Sequence, residues 1–150
     1  MAAEHLTLDA ASTIVDAALM KGRELRLAPL TVAVLDSGGH LVVLKREDAS
    51  GLLRPDIAIG KAWGALGMGF GSRELERRAT LMPQFFAALA ALADGRMIPV
   101  AGGVLIRSAT GRIAGAVGIS GDTSDNDERC AMFGISHAGF SADNGGAAER

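Results

Sequence analysis

The chain has 150 residues, a mass of 15.4 kDa, 49% hydrophobic and 21% charged residues, and this balance predicts one globular domain with a buried core. A net charge of −2 and an aromatic content of 4% without tyrosine argue against nucleic acid as a partner, because such surfaces need positive charge and stacking rings. The single Cys130 excludes an intramolecular disulfide and a cysteine-cluster metal site.

The first residues and the hydropathy of the chain indicate where in the cell we expect the protein. The opening MAAEHLTLDA has no basic segment followed by an apolar core, so we expect no secretory signal. No apolar run approaches the roughly 18 residues that a membrane-spanning helix needs. We therefore expect a cytoplasmic protein with no membrane partner, built as one domain over residues 1–150 with an ordered core at about 6–140.

The first part of the chain predicts a helix and then a β-hairpin. Apolar residues at helical spacing favour a helix over residues 8–27, with Thr7 as its N-cap and Pro29 after its end. Two β-branched runs, residues 31–35 and 41–44, flank an Asp-Ser-Gly-Gly turn. This order of strand, turn and strand predicts a hairpin.

Three helices are predicted in the middle of the chain, at about residues 57–68, 73–81 and 84–92. The first contains Gly60, Gly64 and Gly67 along one side. Each interior glycine costs about 1 kcal/mol relative to alanine, so three of them need a packing reason. We predict a stable homo-oligomer, because these small-residue surfaces exceed what one small domain needs for its own packing.

The last part predicts a second hairpin and a helix. Strands at 101–107 and 112–120 flank the turn residues 108–111, and in the second strand small residues alternate with larger ones, which leaves one face open to a helix or a ligand. A helix follows at about 125–138, with Ser124 and Asp127 resembling a capping box. The tail from Ser141 is expected to be frayed.

The order of these elements predicts the fold class. Strands grouped as hairpins, with helices between the groups, favour an α+β fold with an antiparallel sheet. A doubly wound parallel fold would need strands and helices to alternate regularly, and here they do not.

Several motifs have a structural interpretation that outweighs a catalytic one. The spacing Gly67-x-Gly69-x-Gly71 resembles a phosphate loop, but a helix and not a strand precedes it. Cys130 and His137 could share a helix face, although a buried thiol beside an unrelated histidine is the better interpretation. The three histidines match no metal spacing, so no metal site is predicted.

A binding pocket is predicted from two features. Gly102 and Gly103 follow Pro99 at the start of a strand, where paired glycines could offer backbone N–H groups to an anion. Lys61 is a lone cation in an apolar helix and should have an anionic partner or reach water. We predict a pocket between these glycines and Lys61, with two further residues at its rim because each closes a β-run, namely Asp36 and Asp122.

Four segments together resemble the GlcG/HbpS family, also described as haem-degrading or PduO C-terminal-like domains. They are TVAVLDSGGHLVVLKRED, DIAIGKAWGAL, GRMIPVAGGVLI and GRIAGAVGISGDTSDNDERCAMFGI. The resemblance implies a two-layer α/β sandwich with an antiparallel sheet of about five strands in a PAS/profilin-like arrangement. It also implies homo-oligomers and, for some members, binding of haem or a corrinoid-related ligand. Positions that match the recurrent motifs are Asp36, Lys61, Gly102, Gly103, Ser120 and Gly121.

Two function classes follow from these observations. The first is a protein that binds haem or a related tetrapyrrole or corrinoid through Lys61, Gly102, Gly103, Ser120 and Gly121, with any of the histidines or methionines as an axial ligand. The second is a small enzyme of a catabolic pathway acting on an organic acid, with Lys61 or an arginine holding a carboxylate and Asp36 or Asp122 moving a proton. No nucleophile beside a base supports the enzyme, and no local pattern selects an axial ligand for haem.

Overall fold

The computed structural model describes residues 4–146 of the chain. The helices are α1 (Leu8–Glu24), α2 (Arg54–Met68), α3 (Ser72–Leu81), α4 (Pro83–Leu92) and α5 (Ser124–His137). The strands are β1 (Thr31–Asp36), β2 (Leu41–Arg46), β3 (Gly103–Arg107), β4 (Ile113–Ser120) and β5 (Ser141–Asp143). Within this part of the chain no helix has both the length and the hydropathy needed to cross a membrane.

The five strands form one antiparallel sheet in the order β2-β1-β4-β3-β5. Both predicted hairpins are present, and β4 lies at the centre of the sheet between β1 and β3. The α+β class with an antiparallel sheet of about five strands is therefore confirmed.

The larger side chains of the central strands face α1 and α5. Strands alternate their side chains between faces, and one face carries a fully buried valine and isoleucine layer that packs against the two helices. This layer comprises Val32, Val34, Val104, Ile106, Val117 and Ile119 on the strands with Ile14, Val15, Ala131 and Ile135 on the helices.

On the opposite face of the sheet the central strand β4 carries small residues, and α2 lies directly on it. Ala116 and Leu105 pack there against Ala62 and other residues of α2. A Cβ atom at Gly118 would overlap the carbonyl oxygen of Ala58, so only glycine allows this approach. The prediction that a helix or ligand lies close to this face is confirmed, and the occupant is α2.

Two details of the second half differ from the sequence-based expectations. The tail expected to be frayed from Ser141 forms β5, which pairs with β3 at the edge of the sheet; residues 147–150 lie outside the described part. The helix α5 is capped by Thr123 and not by Ser124, because the Thr123 hydroxyl accepts a hydrogen bond from the Asn126 N–H.

Two of the three glycines of α2, Gly60 and Gly64, serve the packing inside the molecule, whereas a Cβ atom at Gly67 would meet nothing within 4 Å. A Cβ atom at Gly60 would lie 2.7 Å from the Arg96 carbonyl oxygen, and one at Gly64 would lie 2.5 Å from Cγ of Met97. Together with the strand face under α2, these surfaces are covered within one chain. They do not exceed the needs of one domain, contrary to the expectation, so self-association stays a prediction that needs another surface.

Candidate functional site

We predicted a pocket between α2 and the paired glycines Gly102 and Gly103. In the structure this space is filled by Lys61. A Cβ atom at Gly102 would lie 2.8 Å from the Lys61 Nζ, and one at Gly103 would overlap the Lys61 carbonyl. The Gly103 N–H donates to the Ser72 hydroxyl over 2.7 Å, so it is not free for an anion. The expected pocket at this place is therefore wrong, and the paired glycines are explained by the close approach of α2.

Of the two environments that the sequence allows for Lys61, an anionic partner or contact with water, the structure shows the first. Its Nζ donates to Oδ2 of Asp127 over 3.2 Å and to the Ile119 carbonyl over 2.9 Å, and both charged side chains are buried. Burial lowers the pKa of Lys61 and raises the pKa of Asp127, and the attraction between the two charges opposes both changes. The pair ties α2 to the first turn of α5 across the end of β4.

The residues after β4 belong to the same polar network. The buried Ser120 hydroxyl accepts a hydrogen bond from Arg54 over 3.0 Å. At Gly121 a Cβ atom would overlap the Pro29 carbonyl oxygen. The Asp122 N–H donates to Oδ1 of Asp127 over 2.9 Å, while the Asp122 carboxylate accepts from the Ala28 N–H over 2.9 Å. Hydrogen bonds to that carboxylate lower the pKa of Asp122.

Asp36 and Asp122 do not share an end of the sheet, contrary to the prediction. Strand β1 pairs antiparallel with β4, so Asp36 lies opposite Gly115, near the start of β4, whereas Asp122 follows the end of that strand. Asp36 instead organises the β1–β2 turn by accepting from the N–H groups of Gly38 and His40. These hydrogen bonds lower the pKa of Asp36. The two carboxylates therefore cannot serve one reacting group.

A groove of about 500 Å³ lies beside α2, at the edge of the packed surface between that helix and the sheet. Its size falls within the range of small-molecule sites, which is about 300–1,000 Å³. One wall is formed by α2 and the residue before it, and it faces the segment after α4 and the β1–β2 turn. This wall contains Leu53, Asp56, Ile57, Ile59 and Trp63. The remaining lining residues are Gly39, Gly95, Arg96 and Ile98.

A stacked pair forms one side of this groove. The Arg96 guanidinium lies 4.2 Å from the centroid of the Trp63 ring, and its Nε donates to the Ala93 carbonyl over 3.0 Å. Gly39 has a φ of 84°, and a Cβ there would lie 3.4 Å from Trp63. The groove thus offers an apolar wall, a ring face and a positive charge, which suits a flat apolar ligand with an acidic group.

The predicted site residues do not line this groove, although the sequence contains a signal for it. Ile59 and Trp63 lie four residues apart and so share one side of α2, where they flank the residues of the helix that face the sheet. A helix with apolar residues on two sides needs a second neighbour or a ligand. A lone aromatic residue on a helix favours a core position, whereas Trp63 is half-buried at the groove.

The described residues that line the groove include no histidine, cysteine or methionine, and these are the usual axial ligands of haem iron. His40 lies at the β1–β2 turn and pairs with Asp36 over 3.1 Å, and His137 stacks on Phe133. Cys130 is buried, and burial raises the pKa of its thiol to about 11, whereas His137 is exposed; the two do not form a pair.

Comparison with known proteins agrees with this architecture. The family model described as "Haem degrading protein HbpS-like" matches residues 6–136. An uncharacterised 15.0 kDa protein of Citrobacter freundii is 29% identical over 122 residues, which is 81% of this chain and 84% of that protein. The crystal structure of a PduOC:heme complex has a TM-score of 0.81 at 24% identity, covering 91% of this chain and 97% of that one. A double mutant of Streptomyces reticuli HbpS has a TM-score of 0.76 at 28% identity, covering 91% and 88%.

Proposed function

The chain belongs to the HbpS-like family, and we propose from this premise that it binds haem, or a related tetrapyrrole or corrinoid, in the groove on α2. The observation that carries the proposal is the composition of that groove. Apolar residues of α2 and Ile98 form its walls, and Trp63 adds a flat ring face. Such walls favour a planar ring system, since burying apolar surface is the main source of its binding free energy.

Arg96 supplies the polar contact that would orient such a ligand. Its guanidinium lies at the groove beside Trp63, and a guanidinium can hold a carboxylate such as a haem propionate by two hydrogen bonds. A bound haem would supply its iron as a redox centre. The residues that we predicted to bind the ligand would support the groove indirectly, by holding α2 in place on the sheet. They are Lys61, Gly102, Gly103, Ser120 and Gly121. Location in the cytoplasm stays a prediction.

Titration with haem tests the proposal through two signals. Trp63 is the only tryptophan and lines the groove, so haem bound there should quench its fluorescence, and the Soret band should differ from that of free haem. We expect Ile57→Glu to abolish both signals, because a carboxylate would replace an apolar wall. Arg96→Ala should weaken binding by roughly tenfold, the loss of about one charge-assisted hydrogen bond.

Met20→Glu is the matched control, because Met20 is an exposed apolar residue on α1, on the opposite side of the sheet. It should bind haem like the wild-type protein. A wild-type Soret band identical to that of free haem would contradict the proposal and favour the enzyme acting on a small organic acid. Unchanged binding by a folded Ile57→Glu variant would place the site elsewhere.

A further inference from the structure

Another cavity, of about 400 Å³, lies where the last turn of α1 meets the end of β2. It is lined by Arg23, Pro29, Arg46, Glu47 and Asp48. Its volume falls within the range of small-molecule sites, which is about 300–1,000 Å³. Four of these five residues carry a charge, two of each sign, and none of them lines the groove on α2. The cavity is therefore a separate place in the molecule, and it suits a charged ligand.

Two of the four charges, those of Glu47 and Arg23, already neutralise each other. The Glu47 carboxylate accepts from the Leu30 N–H over 2.7 Å and pairs with Nε of Arg23 at 3.0 Å. The Nη2 group of Arg23 donates to the Ala28 carbonyl over 2.9 Å, and the Glu47 N–H donates to the Leu30 carbonyl over 2.9 Å. These contacts join the loop after α1 to the loop after β2. Both side chains form a fixed frame for the cavity and need no ligand.

Arg46 is positioned by the protein but is not neutralised by it. Its Nη1 donates to the Ser50 carbonyl over 2.7 Å, and no carboxylate of residues 4–146 forms an ion pair with it. Its Nε and Nη2 have no acceptor in that part of the chain. In Arg77 the same two nitrogens bind both carboxylate oxygens of Glu74 over 2.7 Å each. The free edge of Arg46 can therefore hold a carboxylate by two hydrogen bonds.

Asp48 is the remaining charge of the cavity. It is exposed, like Arg46, and within residues 4–146 it makes no side-chain ion pair. A simple anion bound to Arg46 would be repelled by Asp48, and a simple cation bound to Asp48 would be repelled by Arg46. A small molecule that carries both charges meets an opposite charge at each end. The cavity therefore favours a zwitterion over either single ion.

We propose that this cavity binds a small amino acid, whose carboxylate pairs with Arg46 and whose ammonium group pairs with Asp48. The half-buried Pro29 supplies an apolar surface for the side chain of the ligand. Exposed ion pairs contribute little each, so the two contacts together give a dissociation constant of about 1–10 mM. The fixed frame of Arg23 and Glu47 keeps the cavity open without the ligand.

NMR titrations of the backbone amide signals test the class of ligand. At constant ionic strength, L-alanine should shift the signals of the residues that line the cavity, and the shifts should saturate. Propionate lacks the ammonium group and ethylamine lacks the carboxylate, so each should bind roughly tenfold more weakly or worse. Both fragments are close in size to L-alanine, which makes them matched controls for the two charges.

Two variants test the residues themselves. Arg46→Gln should weaken the binding of L-alanine by roughly tenfold or more, because it removes the charge-assisted pair with the carboxylate. Asp48→Asn should abolish the preference for L-alanine over propionate, since no carboxylate remains to attract the ammonium group or to repel the propionate. Arg26→Gln is the matched control, because Arg26 is an exposed arginine near Arg23 that does not line the cavity. It should bind L-alanine like the wild-type protein.

Three outcomes would overturn the proposal. They are the absence of saturable shifts with L-alanine, binding of propionate or ethylamine as tight as that of L-alanine, and unchanged binding by a folded Arg46→Gln variant. The amide spectrum also reports whether each variant stays folded. None of these titrations contains haem, so a failed haem titration leaves this proposal untouched, and a failed amino-acid titration leaves the groove untouched.

Discussion

The role of Lys61 shows how far a single residue can be interpreted from sequence. A lysine in an apolar helix predicts either an anionic partner or a head group that reaches water, and the structure shows the anionic partner. The identity of the partner, Asp127, could not be predicted, because it depends on α2 and α5 meeting at the end of β4. In the sequence Asp127 has a sufficient local explanation as a capping residue, and this explanation hides the long-range contact.

Replacing Lys61 tests whether the buried pair stabilises the fold. Lys61→Met should lower the free energy of unfolding by about 3–5 kcal/mol, since it leaves the Asp127 carboxylate buried without its cation. Lys61→Met with Asp127→Asn should recover most of this loss, because the amide keeps an acceptor for the Asp122 N–H. Urea denaturation of the wild type, the single variant and the double variant measures the difference.

The pH dependence of the Lys61→Met variant provides an independent check. Burial already raises the pKa of Asp127, and removal of the cation raises it further. A group whose pKa is raised in the folded state loses its stabilising contribution as the pH rises through that pKa. The variant should therefore become more stable relative to the wild type as the pH falls from 7 toward the ordinary pKa of an aspartate. An equal loss at every pH would contradict this account.

At the level of elements, local patterns predicted most helices and strands but not the weakest one. The hairpins and the five helices follow from β-branched runs, turn residues and helical spacing. Strand β5 has only three residues, Ser-Ala-Asp, with almost no intrinsic preference for a strand. It is held by pairing with β3 and by the ion pair between Arg107 and Asp143 at 2.8 Å. Such an element depends on its neighbour, so a local pattern cannot reveal it.

The glycines of α2 differ in their surroundings, and this difference can be measured. A Cβ at Gly67 meets nothing within 4 Å, so Gly67→Ala should raise the free energy of unfolding by about 0.5–1 kcal/mol through helix propensity. A Cβ at Gly60 meets the Arg96 carbonyl oxygen at 2.7 Å, so Gly60→Ala should lower it by about 1–3 kcal/mol through overpacking. Thermal or urea unfolding compares the two. Changes of the same sign would show that propensity alone governs this helix.

At the level of the whole molecule, the sheet order determined which predicted site residues could meet. The sequence predicted that Asp36 and Asp122 each close a β-run; Asp36 is the last residue of β1, and Asp122 lies two residues after the end of β4. Whether two strand ends coincide depends on the relative direction of the strands, and β1 and β4 are antiparallel neighbours that are far apart in sequence. The groove has the same origin, since it forms only when α2, the β1–β2 turn and the segment after α4 come together.

Ion pairs between separate elements also hold the whole molecule together, and Arg73 makes two of them. Its Nε donates to the Glu128 carboxylate over 2.8 Å, and its guanidinium also bonds Asp125, which ties α3 to α5. These hydrogen bonds raise the pKa of Arg73. Because Glu128 is largely buried, the loss of Arg73 would leave a desolvated carboxylate without this partner.

Arg73→Leu should therefore lower the free energy of unfolding by about 1–3 kcal/mol. Arg77→Leu on the same helix is the matched comparison, because its pair with Glu74 joins residues of one helix and its side chain is 60% exposed. That variant should lose less than about 1 kcal/mol, and high salt should reduce its effect more than that of Arg73→Leu, since exposed pairs are screened. Urea denaturation at low and high salt measures both. Equal losses with equal salt dependence would show that the contact between α3 and α5 contributes no more than an ordinary surface ion pair.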